Sequence, residues 1–193
     1  NPLCMERIPF GIRRLDSTFS GGAPPGSVVL LSGEPGAGAR EFVYTSALMN
    51  GLARSDEELF DLYYGPLDEG TELPGAIHYV SFTDDTRQIR REMRQTMDEE
   101  LVDSALTSVT FHDLANEYYR LSPVPRDWYT DRTTSITELG SHNRASVAEA
   151  LGDTLSEHGP NNLVVIDSLT DLVGALGDEY TWSDIAMLTS GLA

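Results

Sequence analysis

The chain has no lysine. All 13 of its basic residues are arginine, set against 31 Asp and Glu, and the formal net charge is −18. At ordinary salt that balance argues against nucleic acid as a partner. An acidic, lysine-free composition also looks like that of haloarchaeal proteins. There, carboxylates serve solubility in molar salt, and screening shortens their reach to a few ångströms. The charge then says little about partners; phosphate contacts weaken in such salt too, which leaves nucleic-acid binding disfavoured but not excluded. Cysteine is nearly absent. Cys4 alone excludes an intrachain disulfide and fits a reduced, cytoplasmic setting. No apolar run is long enough to span a membrane, and no basic-then-apolar leader opens the chain. The first residue is Asn1 rather than Met, so a trimmed N-terminus is expected. Repeats and low-complexity tracts are missing as well. With 193 residues, 40% of them hydrophobic, the expectation is one compact domain over 1–193 with a real core.

What the chain does have is a glycine loop. Gly33, Glu34, Pro35, Gly36, Ala37, Gly38, Ala39 and Arg40 follow the outline of a phosphate-binding loop, G-x-x-x-x-G-K-[ST], with both chemical side chains replaced. Ala39 stands where a lysine would reach the β- and γ-phosphates. Arg40 stands where a hydroxyl would hold Mg²⁺. The glycines still allow successive N–H groups to curl around an anion at a helix N-terminus. Each lost charge-assisted hydrogen bond costs about 1.5–3 kcal/mol, or roughly one to two decades of affinity. Losing both moves a micromolar site towards millimolar. ATP or another nucleotide is therefore expected to bind weakly or not at all.

Around the loop the pattern is that of an α/β chain. Residues 23–26, Ala-Pro-Pro-Gly, read as a turn. Residues 27–32, centred on Val28, Val29, Leu30 and Leu31, read as a buried strand. Residues 41–53 carry helical spacing through Phe42, Ser46, Met49 and Ala53. The stretch 54–75 is acidic and turn-rich, and reads as a surface connection with one short helical turn. Residues 76–82 read as a strand, 83–97 as an arginine-rich helix opened by Asp84-Asp85, and 107–111 as a short strand. Residues 121–135, with Trp128 and Tyr129, read as a long loop. A helix is expected over 141–158, with Ala145, Ala148, Leu151 and Leu155 on one face. Residues 163–166 read as a strand ending in Asp167. Strands alternating with helices imply a mostly parallel sheet, helices on both faces and right-handed crossovers.

Three stretches together resemble RecA-like ATPase domains of the KaiC type. The first is residues 10–42. It holds Gly11-Ile12-Arg13-Arg14-Leu15-Asp16, then Gly21-Gly22-Ala23-Pro24-Pro25-Gly26, the apolar run and the glycine loop. The second is Val80-Ser81-Phe82-Thr83-Asp84-Asp85 followed by Arg87-Gln88-Ile89-Arg90, similar to a strand ending in paired glutamates and its helix. The third is Leu163-Val164-Val165-Ile166-Asp167-Ser168-Leu169-Thr170, similar to a Walker B strand. Residues 54–75 and 112–140 match poorly. The resemblance implies a P-loop NTPase fold whose sheet continues beyond Ala193 or is completed by another subunit. It also implies assembly of several copies around nucleotide, so self-association or a protein partner is expected. A group of such sequences is loosely described as transducer-related, which points towards signalling.

The resemblance also assigns roles. Asp84 and Asp85 take the place of the paired carboxylates, one of which would activate the attacking water. Asp167 would help to hold Mg²⁺, a role half orphaned without a hydroxyl at position 40. Plainer readings compete with each. Thr83 and Asp84 suit a helix N-cap and a favourable dipole position, and this is the preferred reading. Asp167-Ser168 suits a cap for the next segment. Arg40 suits a surface ion pair with Glu34 or Asp84 better than a phosphate contact. His78, His112, His142 and His158 show no metal-ligand spacing. The expectation is a regulatory or signalling interaction module without efficient ATP hydrolysis. Two rivals are an adapted ATPase using Arg40 with Asp84 or Asp85, and a DNA-associated recombinase paralogue.

Overall fold

Parallel strands need a crossover between them, and the chain supplies one each time. The computed structural model describes residues 6–119 and 147–176, with positions 125, 183 and 187. Its elements run α1 (Arg13–Thr18), α2 (Ala39–Ser55), α3 (Glu57–Tyr63), β1 (Ile77–Ser81), α4 (Thr86–Thr96), α5 (Glu99–Leu106), β2 (Val109–Asp113), α6 (Ala115–Tyr119), α7 (Val147–His158), β3 (Leu163–Asp167) and α8 (Leu169–Leu176). The three strands form an all-parallel sheet in the order β2-β1-β3. No described helix is long and apolar enough to cross a membrane.

β1 lies at the centre and is buried along its whole length. Alternate side chains point to opposite faces. Ile77 and Tyr79 pack with Leu48 of α2, Met93 of α4 and Val102 of α5. Val80 packs with Leu151 and Leu155 of α7 and with Leu172 of α8. Helices therefore cover both faces, as the periodicity implies. The acidic composition supplies helix caps. Asp56 accepts from Leu59 N at 3.0 Å, Asp85 from Gln88 N at 2.8 Å, and Asp98 from Glu100 N at 3.0 Å, each the favoured N-cap chemistry.

A buried carboxylate fastens the N-terminal segment. Asp16 is fully buried and accepts from Phe10 N at 2.6 Å, Gly11 N at 3.0 Å and the Tyr64 hydroxyl at 2.8 Å. Burial pushes its pKa up, against the pull of these hydrogen bonds.

Several expectations need correction. Residues 27–32 are not a buried strand. They run without assigned secondary structure, and Val28, Val29, Leu30 and Leu31 are 49%, 56%, 71% and 40% exposed. A strand requires a paired neighbour, and among the described residues β3 pairs only with β1. The stretch 54–75 is more than a surface connection, because α3 drives Phe60 and the following Tyr64 into the core. The helix expected over 83–97 begins at Thr86, and the strand expected over 107–111 lies at Val109–Asp113. Helix α5 carries no proline or glycine signal at its start and was not expected. The loop at 121–135 and residues 141–146 lie outside the described residues, apart from position 125.

Gly51 lets α2 lie close against the end of α5. A Cβ there would sit 2.7 Å from the Ala105 carbonyl oxygen and 3.1 Å from Val109 Cγ2. Since backbone cannot step aside cheaply, Gly51→Ala should cost about 1–3 kcal/mol in chemical denaturation. Leu30→Ser, by contrast, should stay within about 0.5 kcal/mol of the parent, and a loss of core size there would contradict the exposure of the apolar run.

Candidate functional site

The C-terminal ends of β1 and β3 face the start of α2, and charge collects there. Arg40 is the second residue of α2. Its guanidinium pairs with Asp84 through Nη2, with Glu92 through Nη1 at 3.5 Å, and with Asp167 through Nε at 3.3 Å. Asp84 follows β1, Glu92 lies on α4, and Asp167 ends β3. One cation thus joins four parts of the chain. Two tyrosines hold the carboxylates in place. Tyr79 donates to Asp167 Oδ2 at 2.6 Å, and Tyr44 donates to Glu92 Oε2 at 2.7 Å. The Arg40 Cζ also lies 5.9 Å from the centre of the Tyr44 ring.

The electrostatics follow from this geometry. Burial works against the Arg40 charge, but the fields of Asp167 and Asp84 outweigh it, and its pKa is raised. The Tyr79 hydroxyl is pushed up by burial and then by Asp167, so it remains a donor. The Tyr44 hydroxyl is pushed up by burial and by its bond to Glu92. Glu92 is held below the usual carboxylate range chiefly by the Tyr44 hydrogen bond, with burial opposing. Three carboxylates thus surround one guanidinium, and acidic groups outnumber basic ones in the cluster.

The glycine loop itself is open. Gly33, Glu34, Pro35, Gly36 and Ala37 are exposed, and Gly38, Ala39 and Arg40 partly so. Gly36 and Gly38 take φ values of 85° and 88°, a conformation that favours glycine. Ala37 N donates to Glu34 O at 3.0 Å, and Phe42 N donates to Gly38 O at 3.0 Å. Among the described residues, the N–H groups of Gly36, Gly38, Ala39, Arg40 and Glu41 meet no backbone acceptor, as expected of a helix start. Glu41 lies in this first turn, and a Cβ on Gly38 would meet its Oε2 at 3.8 Å. Two clefts, of about 360 and 390 Å³, lie elsewhere and are not lined by the loop.

The expected site residues therefore separate. Arg40, Asp84 and Asp167 come together, and the expected pairing of Arg40 with Asp84 is present. Glu34 is not the partner. Asp85 stands apart as the α4 cap, the role expected of Thr83 and Asp84. Thr83 instead donates to Asp171 at 3.4 Å. Asp167 does not cap the next segment. Ser168 does so, its Oγ accepting from Asp171 N at 3.3 Å, and the peptide joining Asp167 to Ser168 is cis. Glu92, Tyr44 and Tyr79 escaped the sequence reading. Strand alternation, with Tyr79 beside Val165 and two residues from Asp167's partner Ser81, would have pointed to Tyr79; Tyr44 and Glu92, on helices, carried no such signal. Cys4, His142, Trp128 and Tyr129 lie outside the described residues, and among those described no group of three His, Cys, Asp or Glu is arranged to hold a metal ion.

Arg40→Ser should expose the carboxylates to a substitute cation. Millimolar Mg²⁺ is expected to raise the melting temperature of the variant and leave the parent unmoved. An equal response in both proteins would mean that Arg40 is not what fills the place.

Compared with known proteins, the chain matches no family model, and no curated protein and no solved structure is detectably similar to it.

Proposed function

We propose that this chain is a RecA-like, KaiC-type domain that works as a regulatory or signalling interaction module in the cytoplasm, without efficient ATP hydrolysis. One observation carries the reading: Arg40 sits among Asp84, Glu92 and Asp167, where a working relative would bring Mg²⁺ to its carboxylates. A guanidinium supplies charge and hydrogen bonds, but no Lewis acidity and no ordered water. Its donors are also engaged with carboxylates rather than turned to a ligand. A nucleotide at the loop would rely on backbone N–H groups alone, beside a cluster in which acidic groups outnumber basic ones.

The motif order supports the RecA-like assignment, and the parallel α/β sheet is compatible with it. The acidic, lysine-free composition supports a halophilic archaeal origin. An adapted ATPase finds less support, because Asp85 caps α4 and Asp84 is bound to Arg40, which leaves neither free as a general base. A recombinase-like role on DNA finds little support in a charge of −18. Self-association or a protein partner remains the expected mode of action.

Titration calorimetry with ATP in molar KCl, with and without Mg²⁺, beside a phosphate-release assay, tests this reading. The expected result is binding in the millimolar range or none, no dependence on Mg²⁺, and no turnover. Ala39→Lys combined with Arg40→Ser should gain Mg²⁺-dependent ATP binding at least about tenfold tighter, the scale of one recovered charge-assisted bond. Mg²⁺-dependent phosphate release by the parent chain would overturn the proposal.

A further inference from the structure

Three histidines far apart in sequence meet on the sheet face opposite Arg40. His78 lies on β1 and His112 on β2, in the register that pairs His78 with Thr110 and Val80 with His112. Both point to the face covered by α7. His158 is the last residue of α7 and continues the line of Leu151 and Leu155, which face the sheet. The ring centres are 4.5 Å apart for His78 and His158, 4.9 Å for His112 and His158, and 5.1 Å for His78 and His112. His78 Nδ1 and His112 Nε2 are 2.9 Å apart.

We propose that His78, His112 and His158 form a proton-operated latch, which holds the C-terminal end of α7 against the sheet while the rings are neutral and releases it when they charge. The close pair supplies the proton sensitivity, and the His158 ring packed on both members carries it to α7. A hydrogen bond between two imidazoles needs one N–H and one lone pair, and two imidazolium rings offer only donors. Doubly protonating the pair replaces an attraction by a repulsion at contact distance.

Little nearby charge offsets that repulsion. Glu157 on α7 approaches His158 Nε2 at 3.8 Å, but it is 76% exposed. On the sheet, the neighbours on this face are Val80, Thr110 and Val164, none of them charged. The loop after α7 brings Asn161 and Asn162. Asp153 and Glu149 lie more than one turn back along α7, Glu117 lies on α6, and Asp171 of α8 is engaged with Thr83 and Ser168. Glu157 also favours charge on His112, but burial and the His158 ring oppose it more strongly. Burial, and then the neighbouring imidazoles, hold the pKa values of His78 and His112 below the ordinary histidine value.

The sign is fixed by these directions. In the unfolded chain the rings protonate near about pH 6.5, while in the folded chain His78 and His112 resist protonation. Unfolded protein then binds more protons, so stability falls as pH drops below that value, until the folded rings themselves titrate. Because all three rings sit at one end of α7, the loss is local: α7 loosens before α2, which contributes no histidine.

The test uses the full chain in molar KCl between about pH 7.5 and about pH 5.5. Hydrogen exchange, corrected for intrinsic rate, should rise at least about tenfold in α7 relative to α2 as pH falls. His112→Gln with His158→Gln should abolish that difference and flatten the fall in melting temperature. If the variant does not fold, imidazole proton resonances of the parent decide the matter, with His78 and His112 expected to titrate below the ordinary histidine value. Uniform exchange in α2 and α7, equal slopes in parent and variant, or ordinary titration of His78 and His112 would each overturn the latch. A rise in the parent's melting temperature with millimolar Ni²⁺ would overturn it too, since the rings would then converge on a metal.

Discussion

The burial of β1 on both faces organises the molecule. A five-residue strand with no exposed side must find apolar cover above and below, and its period of two decides which residues meet which cover. Tyr79 goes to the side of α2, where its hydroxyl fixes Asp167. His78, its neighbour in sequence, goes to the side of α7. One strand therefore supplies a polar anchor to each of two clusters that never touch. A slip of one residue in register would exchange the two sets and leave both hydroxyl and imidazole without partners.

Arg40 answers a problem that the sheet creates. Parallel strands bring their C-terminal ends to one side, and here those ends carry Asp84 and Asp167, with Glu92 close by on α4. Three carboxylates in one place need a counter-charge. A metal ion would arrive from solution and could leave. An arginine on α2 is covalently part of the fold, so its charge is present whatever the solution holds. The same side chain that neutralises the cluster also couples α2 to β3 across the sheet.

Much of the framework could be read from the chain. The three paired strands, α2, α4 and the described part of the helix ending at His158 all lie near their expected places, because each combines strong periodicity with turn residues on either side. A carboxylate partner for Arg40 was also legible, but the sequence left Glu34 and Asp84 as equal candidates, and the structure has Asp84. Other features were not. The exposure of Val28–Val29–Leu30–Leu31 could not be foreseen, because an apolar run reads as buried whenever its neighbours are unknown. Which aspartate caps α4 depended on a shift of one residue, within the ordinary uncertainty of helix ends. Helix α5 lacked a strong punctuating residue. The histidine cluster was invisible because metal spacing along one segment was the signal sought, whereas the rings converge from β1, β2 and α7 only after the sheet has formed.

The exposed aliphatic run has a consequence for how the molecule behaves among its own kind. Four consecutive branched side chains, Val28 to Leu31, are exposed together on a chain of net charge −18. At low ionic strength mutual repulsion keeps copies apart. As salt rises, that repulsion collapses to contact range, while excluded ions strengthen the tendency of aliphatic surface to leave water. Both trends act in the same direction. Rising salt therefore favours contact between copies through this strip over contact through charged surface.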